Sequence, residues 1–141
     1  MKKRYAVGLD YGTSSVRAVI IDVDNGQELS HHVFDYPHGK EGVVISSDDN
    51  NLARQHPQDY IDGFVTSVSE AVKAAGEHKE FSPDQVIGIG IDTTGSSPMP
   101  VRKDLTPLAF EEDFSDDPDA LVWLWKDHTS HEEAVEITKL G

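Results

Sequence analysis

Three stretches near the N-terminus are rich in apolar and β-branched residues, and polar turns separate them. Residues 5–9 and 16–23 consist largely of valine, isoleucine, leucine and alanine, which is typical of strands. Residues 28–36 alternate weakly between apolar and polar side chains and predict a third strand. Asn25 and Gly26, between the second and third stretches, are a favoured pair for a type I′ turn. The pattern therefore predicts an antiparallel meander of three strands.

A helix and a further strand are predicted next. Residues 38–55 are polar and rich in glycine, aspartate and asparagine, so they predict a long loop. Pro57 suits the first position of a helix. Residues 86–91 form a short and almost uniformly apolar run, which predicts a central strand buried on both faces. After Pro57, apolar residues recur at helical spacing and predict a buried helix face: Ile61, Phe64, Val68, Ala71, Val72 and Ala75.

The remaining residues predict short elements. Residues 99–102 predict a short strand, residues 121–125 are apolar, and residues 128–140 have a helical pattern. The predicted order is three antiparallel strands, a crossover helix, a parallel strand and a final helix. This order resembles the first half of the ribonuclease-H-like or actin-like ATPase fold, so we expect an incomplete α/β domain of that class. Element order by itself implies no function.

Composition narrows the classes of partner. The chain has 141 residues, which suits one domain, and a net charge of −14, because 26 acidic residues face 12 lysines and arginines. We expect no binding to nucleic acid or to an anionic membrane, since both require basic patches. A phosphate-bearing ligand needs Mg²⁺ or backbone N–H groups to offset the repulsion. The chain has no cysteine, which excludes disulfides and fits the cytoplasm.

The turn between the first two predicted strands carries the first candidate chemistry. In GLDYGTSSVRAVIID (residues 8–22), Asp10 ends a strand, and Gly12, Thr13 and Ser14 form the turn. Glycine allows close approach of the backbone, N–H and hydroxyl groups bind phosphate, and a carboxylate holds Mg²⁺. The same residue types are typical of a plain hairpin turn. The pattern alone does not separate these two interpretations.

Two later segments also combine polar groups with turns. DTTGSSPMPV (residues 92–101) follows the predicted buried strand, at the position where open α/β sheets bind ligands. WLWKDH (residues 123–128) places two tryptophans on one side of an extended chain, where they can stack on a sugar beside the hydrogen-bonding groups of Lys126 and Asp127. The alternatives are a Ser/Thr-rich turn closed by prolines and a core tryptophan pair beside a helix cap. Two polar turns after neighbouring strands favour a shared ligand site.

Two other phosphate-binding patterns are excluded. The chain contains no GxxxxGK[ST] segment. Gly88 and Gly90 begin a dinucleotide-binding pattern, but Thr93 stands where the third glycine is required. We expect these two glycines to allow a neighbouring element to pack closely against the strand.

Together, the three segments resemble the FGGY family of carbohydrate kinases and, within it, the ribulokinase subfamily. GLDYGTSSVRAVIID resembles the family's first phosphate motif, and IGIGIDTTGSSPMPV resembles its second strand-and-turn segment. LVWLWKDHTSHEEA resembles the tryptophan-containing segment of the subfamily, and LARQHPQDY is similar to it as well. The resemblance extends over nearly the whole chain.

The resemblance implies a cytoplasmic kinase of arabinose catabolism that uses ATP and Mg²⁺ to phosphorylate ribulose. It implies that Asp10 faces Mg²⁺ and the phosphates, that Gly12, Thr13 and Ser14 line the phosphate turn, and that Arg17 lies close behind it. It also places a second group of residues beside the sugar: Gly95, Ser96, Trp125, Lys126 and Asp127. Other readings stay open: a kinase for xylulose, glycerol or another polyol, a non-catalytic sugar- or phosphate-binding module, and an actin-like ATPase. Assembly into a homo-oligomer is also left open.

Length separates this chain from the kinases that it resembles. Members of the family are several times longer and have two actin-like domains, and their general base lies later in the chain. We therefore expect residues 1–141 to be the N-terminal part of the first kinase domain, a single truncated domain. This fragment is expected to hold no catalytic base and to be inactive by itself.

Overall fold

The computed structural model describes residues 2–141, which form two compact units. The first unit contains the residues up to Tyr36 together with Gln58–Thr94, and the second contains Pro37–Pro57 together with Gly95–Gly141. In chain order, the strands and helices are β1 (Tyr5–Tyr11), β2 (Ser15–Asp22), β3 (Glu28–Asp35), β4 (Val44–Ile45), β5 (Ala53–Gln55), α1 (Pro57–Ala75), β6 (Val86–Thr93), β7 (Val122–Trp123) and α2 (His131–Leu140).

A four-stranded mixed sheet with the order β3-β2-β1-β6 forms the first unit. β1, β2 and β3 are an antiparallel meander, and β6 pairs in parallel with β1. Successive side chains of a strand face opposite sides, and every second residue is buried in β1 as far as Leu9 and throughout β2. These buried residues pack with α1 into one core: Tyr5, Val7, Leu9, Val16, Ala18, Ile20, Ala71 and Ala75. The predicted meander, crossover helix and parallel strand are confirmed.

The helix α1 contacts the sheet through a glycine that the apolar pattern did not reveal. Gly63 is buried, and a Cβ atom at this position would lie 2.5 Å from Val16 Cγ1. The helix therefore approaches β2 more closely than a residue with a side chain permits. The fully buried stripe runs through Gly63, Ser67 and Ala71, about half a helical turn away from Ile61. The prediction that Ile61 is buried was consequently wrong, since its side chain is 47% exposed.

Residues 86–91 form the predicted strand as part of β6, but within residues 2–141 this strand is not central and not buried on both faces. β6 lies at an edge of the sheet, and Ile87, Ile89 and Ile91 are 59%, 53% and 62% exposed. The helix α1 packs over β1 and β2, and no element within residues 2–141 buries these three isoleucines. A uniformly apolar run indicates what a strand can bury, but it does not indicate whether a covering element is present.

The second unit is built around a small antiparallel sheet with the order β4-β5-β7. The long loop predicted for residues 38–55 was wrong, because this segment contains β4 and β5. These strands have two and three residues, too few to show an alternating pattern. Residues 99–102 form no strand and contribute only an isolated bridge between Val101 and Pro107. The final helix begins at His131 rather than at residue 128.

Candidate functional site

The turn between β1 and β2 has a tightly defined backbone. The N–H of Gly12 donates to the carbonyl of Ser15 over 2.9 Å, and the N–H of Tyr36 donates to the carbonyl of Ser14 over 2.9 Å. A Cβ atom at Gly12 would lie 3.3 Å from the Ser15 carbonyl oxygen, so glycine here permits a close backbone approach. The predicted phosphate turn is therefore held at its base by β2 and from the side by the residue that follows β3.

Three charged side chains stand beside this turn. Asp10 and Asp92 are in register on the neighbouring parallel strands β1 and β6, and the Nη2 atom of Arg17 lies 3.9 Å from Oδ2 of Asp10. The side chains of Asp10 and Arg17 are 58% and 59% exposed, so burial does not penalise the charge of Asp10. The N–H of Thr93 donates to Oδ1 of Asp92 over 3.0 Å. Two accessible carboxylates and one guanidinium thus share a small area of the first unit.

A shallow depression of about 350 Å³ lies between these charges, on the side of the sheet opposite to α1. Gly8 of β1 and Gly90 of β6 are in register and form its floor, while Asp10, Arg17 and Asp92 stand at its rim. Within residues 2–141, no element packs against the β6 glycines in the way that the sequence led us to expect. A Cβ atom at Gly90 would meet nothing within 4 Å in the described part of the chain. The glycines instead leave an open, smooth surface beside the charged turn.

Three tyrosines support the turn from the α1 side, and sequence reasoning did not identify them. The ring of Tyr60 lies 5.6 Å from that of Tyr11 and 5.7 Å from that of Tyr36, centroid to centroid. The hydroxyl of Tyr11 donates to the backbone carbonyl of Tyr60 over 3.3 Å. Burial raises the pKa of Tyr60 to about 12, and it also raises the pKa of Tyr11 and of Tyr36. These side chains are therefore neutral near pH 7 and fasten the ends of β1 and β3 to α1.

In the second unit, Gly95 and Ser96 begin the segment predicted to contact a sugar. Ser96 has a φ of 57°, in the left-handed region that residues with a side chain seldom adopt. Further along this segment, the carbonyl of Pro98 accepts a hydrogen bond from the N–H of Trp123 over 2.8 Å. Strained backbone occurs preferentially at binding sites. The hydrogen bond between Trp123 and Pro98 connects the segment of residues 92–101 to the segment of residues 123–128. The strain at Ser96 lies within the first of these segments.

A buried ion pair fixes the segment that contains the second tryptophan. The guanidinium of Arg54 is 1% exposed and contacts the carboxylate of Asp127, which is 5% exposed. It also stacks over the ring of Trp123, with the Cζ atom 3.6 Å from the ring centroid. Burial lowers the pKa of Arg54, and the neighbouring carboxylate of Asp119 opposes this effect. The sequence assigned no role to Arg54, because the loop prediction for residues 38–55 gave it no buried partner.

The carboxylate of Asp127 has further partners within the second unit. Its Oδ2 atom accepts the N–H of Ala53 over 2.7 Å, and its Oδ1 atom accepts the hydroxyl of Thr129 over 2.6 Å. The side chain of Asp127 therefore has a structural role, and its predicted contact with a sugar stays a prediction. Trp125, by contrast, is 56% exposed. Trp123 and Trp125 thus have different environments, one against Arg54 and the other facing solvent.

The predicted site residues fall into two groups that follow the two units. Asp10, Arg17 and the turn at residues 12–14 come together in the first unit, and the remaining predicted residues lie in the second unit. Within residues 2–141, neither helix has the length and apolar character required to cross a bilayer.

Comparisons with known proteins agree on one family. The profile of the FGGY family of carbohydrate kinases, N-terminal domain, matches residues 5–139. The chain is 41% identical to a ribulokinase of Shouchella clausii over 143 aligned positions and 38% identical to a ribulokinase of Vibrio parahaemolyticus over 139. Each alignment covers 99% of this chain but only 25% and 24% of the relative. The chain therefore spans about a quarter of the length of these relatives.

Solved structures support the same fold. The gluconate kinase of Lactobacillus acidophilus superposes with a TM-score of 0.73 at 16% identity, over 99% of this chain and 23% of that protein. A xylulose kinase of Brucella ovis superposes with a TM-score of 0.69 at 26% identity, over 95% of this chain and 23% of that protein. The predicted actin-like fold class is confirmed, and the chain covers only part of the domain.

Proposed function

Because the chain belongs to the FGGY family of carbohydrate kinases, we propose that it is the N-terminal part of the first domain of an ATP-dependent ribulose kinase. The observation that carries this proposal is the 38–41% identity to ribulokinases across 99% of the chain. The aligned region spans both groups of candidate residues. The proposal includes a cytoplasmic location for the enzyme, where ATP is available.

We assign the phosphates of ATP to the first unit. Asp10 and Asp92 offer exposed carboxylate oxygens on adjacent strands, which are the hard ligands that Mg²⁺ prefers. When bound, Mg²⁺ supplies positive charge that neutralises the transferring phosphoryl group. Asp10 would hold the metal, Gly12, Thr13 and Ser14 would line the phosphates, and Arg17 would add a second positive charge. Such compensation is needed in a chain whose net charge is −14.

We assign the sugar to residues of the second unit. Gly95 and Ser96 lie on the strained segment, and the exposed ring of Trp125 offers an apolar face of the kind that stacks on sugar rings. Lys126 offers an ammonium donor for sugar hydroxyls. Asp127, anchored to Arg54, would hold Trp125 and Lys126 in position, because it fixes the backbone immediately after them.

A catalytic base is not among the residues assigned to this chain. Phosphoryl transfer requires a group that orients the attacking hydroxyl and accepts its proton. We therefore expect the purified 141-residue chain to show no ribulose-dependent consumption of ATP. Measurable turnover by this chain would contradict the assignment of the base to another part of the enzyme.

The decisive test uses the enzyme that contains these residues, assayed for ATP consumption with ribulose. Asp10→Asn should lower kcat/KM by about 10²–10³-fold, the usual effect of losing one charge-stabilising group. Asp24→Asn is the matched control, since Asp24 is a surface residue paired with Arg4 and should leave activity unchanged. Full activity in Asp10→Asn would refute the phosphate assignment.

A second candidate is a kinase for a related sugar, which the 26% identity to the xylulose kinase favours. A panel of ribulose, xylulose, glycerol and gluconate separates the two, because the true substrate should have the highest kcat/KM. A non-catalytic binding module predicts sugar binding by calorimetry without ATP consumption on any member of the panel. Ribulose phosphorylation would be replaced as the proposed function if another member of the panel had the highest kcat/KM, or if sugar bound without any consumption of ATP.

A further inference from the structure

The phosphate turn (residues 12–14) receives little support from burial of its own residues. Gly12 and Thr13 are half-buried and Ser14 is exposed. Gly12 also adds flexibility, because glycine restricts the backbone less than any other residue. Phosphoryl transfer depends mainly on the alignment of the phosphates with the groups around them. A turn that holds phosphates therefore needs support from residues outside it.

Two tyrosines hold the two ends of this turn. Tyr11 lies between Asp10 and the turn, and its hydroxyl donates to the backbone carbonyl of Tyr60 over 3.3 Å. At the other end, the N–H of Tyr36 donates to the carbonyl of Ser14 over 2.9 Å. The first contact fixes the residue that follows Asp10, and the second fixes the last residue of the turn.

Both tyrosines pack against the same residue of α1. The ring of Tyr60 lies 5.6 Å from that of Tyr11 at an angle of 69°, and 5.7 Å from that of Tyr36 at an angle of 53°. Aromatic pairs in edge-on or tilted arrangements stabilise a core beyond the area that they bury. The helix α1 is itself packed on β1 and β2 through the buried core of the first unit. One helix therefore fixes the two ends of the turn relative to each other.

The ring of Tyr36 contributes more to this support than its hydroxyl does. Tyr36 is 4% exposed, and its hydroxyl has no hydrogen-bond partner within residues 2–141. The position of this residue therefore depends on the packing of its ring against Tyr60 and the core. A small side chain would keep the backbone N–H but would no longer fix its direction, whereas phenylalanine would keep both the N–H and the ring.

We propose that Tyr11 and Tyr36 are positioning residues for ATP, because they hold the phosphate turn and Asp10 in the geometry that receives Mg·ATP. This inference rests on the proposed function, since it concerns the same phosphates. Both tyrosines act through the backbone of the turn. Loss of their support should therefore affect ATP more than the sugar, whose assigned residues belong to the second unit.

The first test uses the enzyme that contains these residues, assayed with ATP and the best sugar of the substrate panel. Tyr36→Ala should lower kcat/KM for ATP by about 10–100-fold, the range expected when a remote change misplaces reacting groups. The KM for the sugar should change by less than about twofold, because the alignment of the sugar is not disturbed. Tyr36→Phe, which keeps the ring, should retain most of the activity. Equal changes for ATP and for the sugar would overturn the proposal.

Phe81→Ala is the matched control for the loss of a buried ring. Phe81 is 8% exposed and packs against Tyr5, with ring centroids 5.0 Å apart. Tyr5 and Tyr11 are the first and last residues of β1, about 20 Å apart at the usual rise of a strand. Phe81→Ala therefore disturbs the same core far from the turn and should leave kcat/KM for ATP unchanged. An equal decrease in Phe81→Ala and Tyr36→Ala would assign the effect to general destabilisation and overturn the proposal.

Milder variants keep the proposal testable if Tyr36→Ala does not fold. Tyr36→Leu fills more of the space and then takes its place. Tyr11→Phe keeps the ring and removes only the hydrogen bond to Tyr60. It should lower kcat/KM for ATP by about 2–10-fold, which corresponds to the net free energy of one hydrogen bond. An unchanged value in Tyr11→Phe would overturn the proposal for Tyr11, and an unchanged value in the variant of Tyr36 would overturn it for Tyr36.

Calorimetry with Mg·ATP and no sugar distinguishes a failure of this inference from a failure of the proposed function. Tyr36→Ala should raise the Kd for Mg·ATP, and Phe81→Ala should not. If the unaltered enzyme binds no Mg·ATP, the assignment of the phosphates to the first unit is refuted and this inference with it. If the unaltered enzyme binds Mg·ATP and Tyr36→Ala has the same Kd and the same kcat/KM for ATP, only the positioning role is refuted.

Discussion

The buried pair of Arg54 and Asp127 is the most informative residue pair to perturb in the second unit. Asp127→Asn removes one charge while it keeps the size of the side chain. The guanidinium of Arg54 would then remain 1% exposed without its closest counter-ion. A buried charge that loses its partner retains the cost of its desolvation.

The expected magnitude follows from this burial. Removal of one partner from a buried ion pair costs about 3–5 kcal/mol, whereas a whole domain is stable by only about 5–15 kcal/mol. Asp119→Asn provides the matched control, because Asp119 contacts the same guanidinium over 3.3 Å but is 68% exposed. An exposed pair of this kind contributes about 1 kcal/mol or less. The two variants therefore compare a buried and an exposed carboxylate on one arginine, and Asp127→Asn additionally disturbs the hydrogen bonds that Asp127 accepts from Ala53 and Thr129.

Tryptophan fluorescence during urea unfolding measures the effect directly. Both tryptophans of the chain, Trp123 and Trp125, lie in the second unit, so their emission follows this unit specifically. Asp127→Asn should shift the fluorescence midpoint strongly, and Asp119→Asn should shift it little. A double variant, Arg54→Met with Asp127→Leu, should recover part of the loss, because it removes both buried charges together. Equal shifts for Asp127→Asn and Asp119→Asn would refute the reasoning from burial.

Three further predictions concern single residues. Gly63→Ala should lower the free energy of unfolding by about 1–3 kcal/mol through overpacking against Val16. Gly88→Ala is the control and should not lower it through overpacking, because the added methyl group meets no atom within 4 Å in the described residues. Equal urea midpoints for the two variants would contradict the overpacking at Gly63. The pKa of Tyr60 is raised from 10 to about 12 in the folded chain, so this phenol ionises at lower pH in the unfolded chain. The free energy of unfolding should therefore fall as the pH rises from 10 through 12, and it should fall less steeply in Tyr60→Phe. Ser96→Gly should stabilise the second unit by up to about 1 kcal/mol, since glycine adopts a φ of 57° without strain; a lower fluorescence midpoint would argue against strain there.

Much of the first unit could be predicted from the sequence because its signals are local. The strands of the meander are seven or eight residues long, and their alternation is visible without knowledge of their partners. The helix α1 has 19 residues and a helical repeat over its whole length. The exposure of β6 within residues 2–141 was not predictable, because it depends on which elements cover the strand and not on the strand itself.

The candidate site was predictable to a similar extent. Residues 10–17 are contiguous in sequence, so a motif and a turn were enough to bring Asp10 and Arg17 together. Arg54 and Asp127 are far apart in the chain, and their pairing depends on short strands that carry no periodic signal. The tyrosine cluster was also not predictable, because its members come from β1, from α1 and from the segment after β3. Contacts between residues far apart in the sequence were missed where no repeat or motif indicated them.

The glycine of α1 that touches the sheet also bears on the order of folding. A glycine in a helix interior weakens the isolated helix by about 1 kcal/mol relative to alanine, and Gly63 offsets this cost by allowing α1 to approach Val16 and Phe34 closely. These two residues belong to β2 and β3, which the short connections of the meander bring together early. We therefore expect the hairpins to form first and to provide the surface on which α1 consolidates.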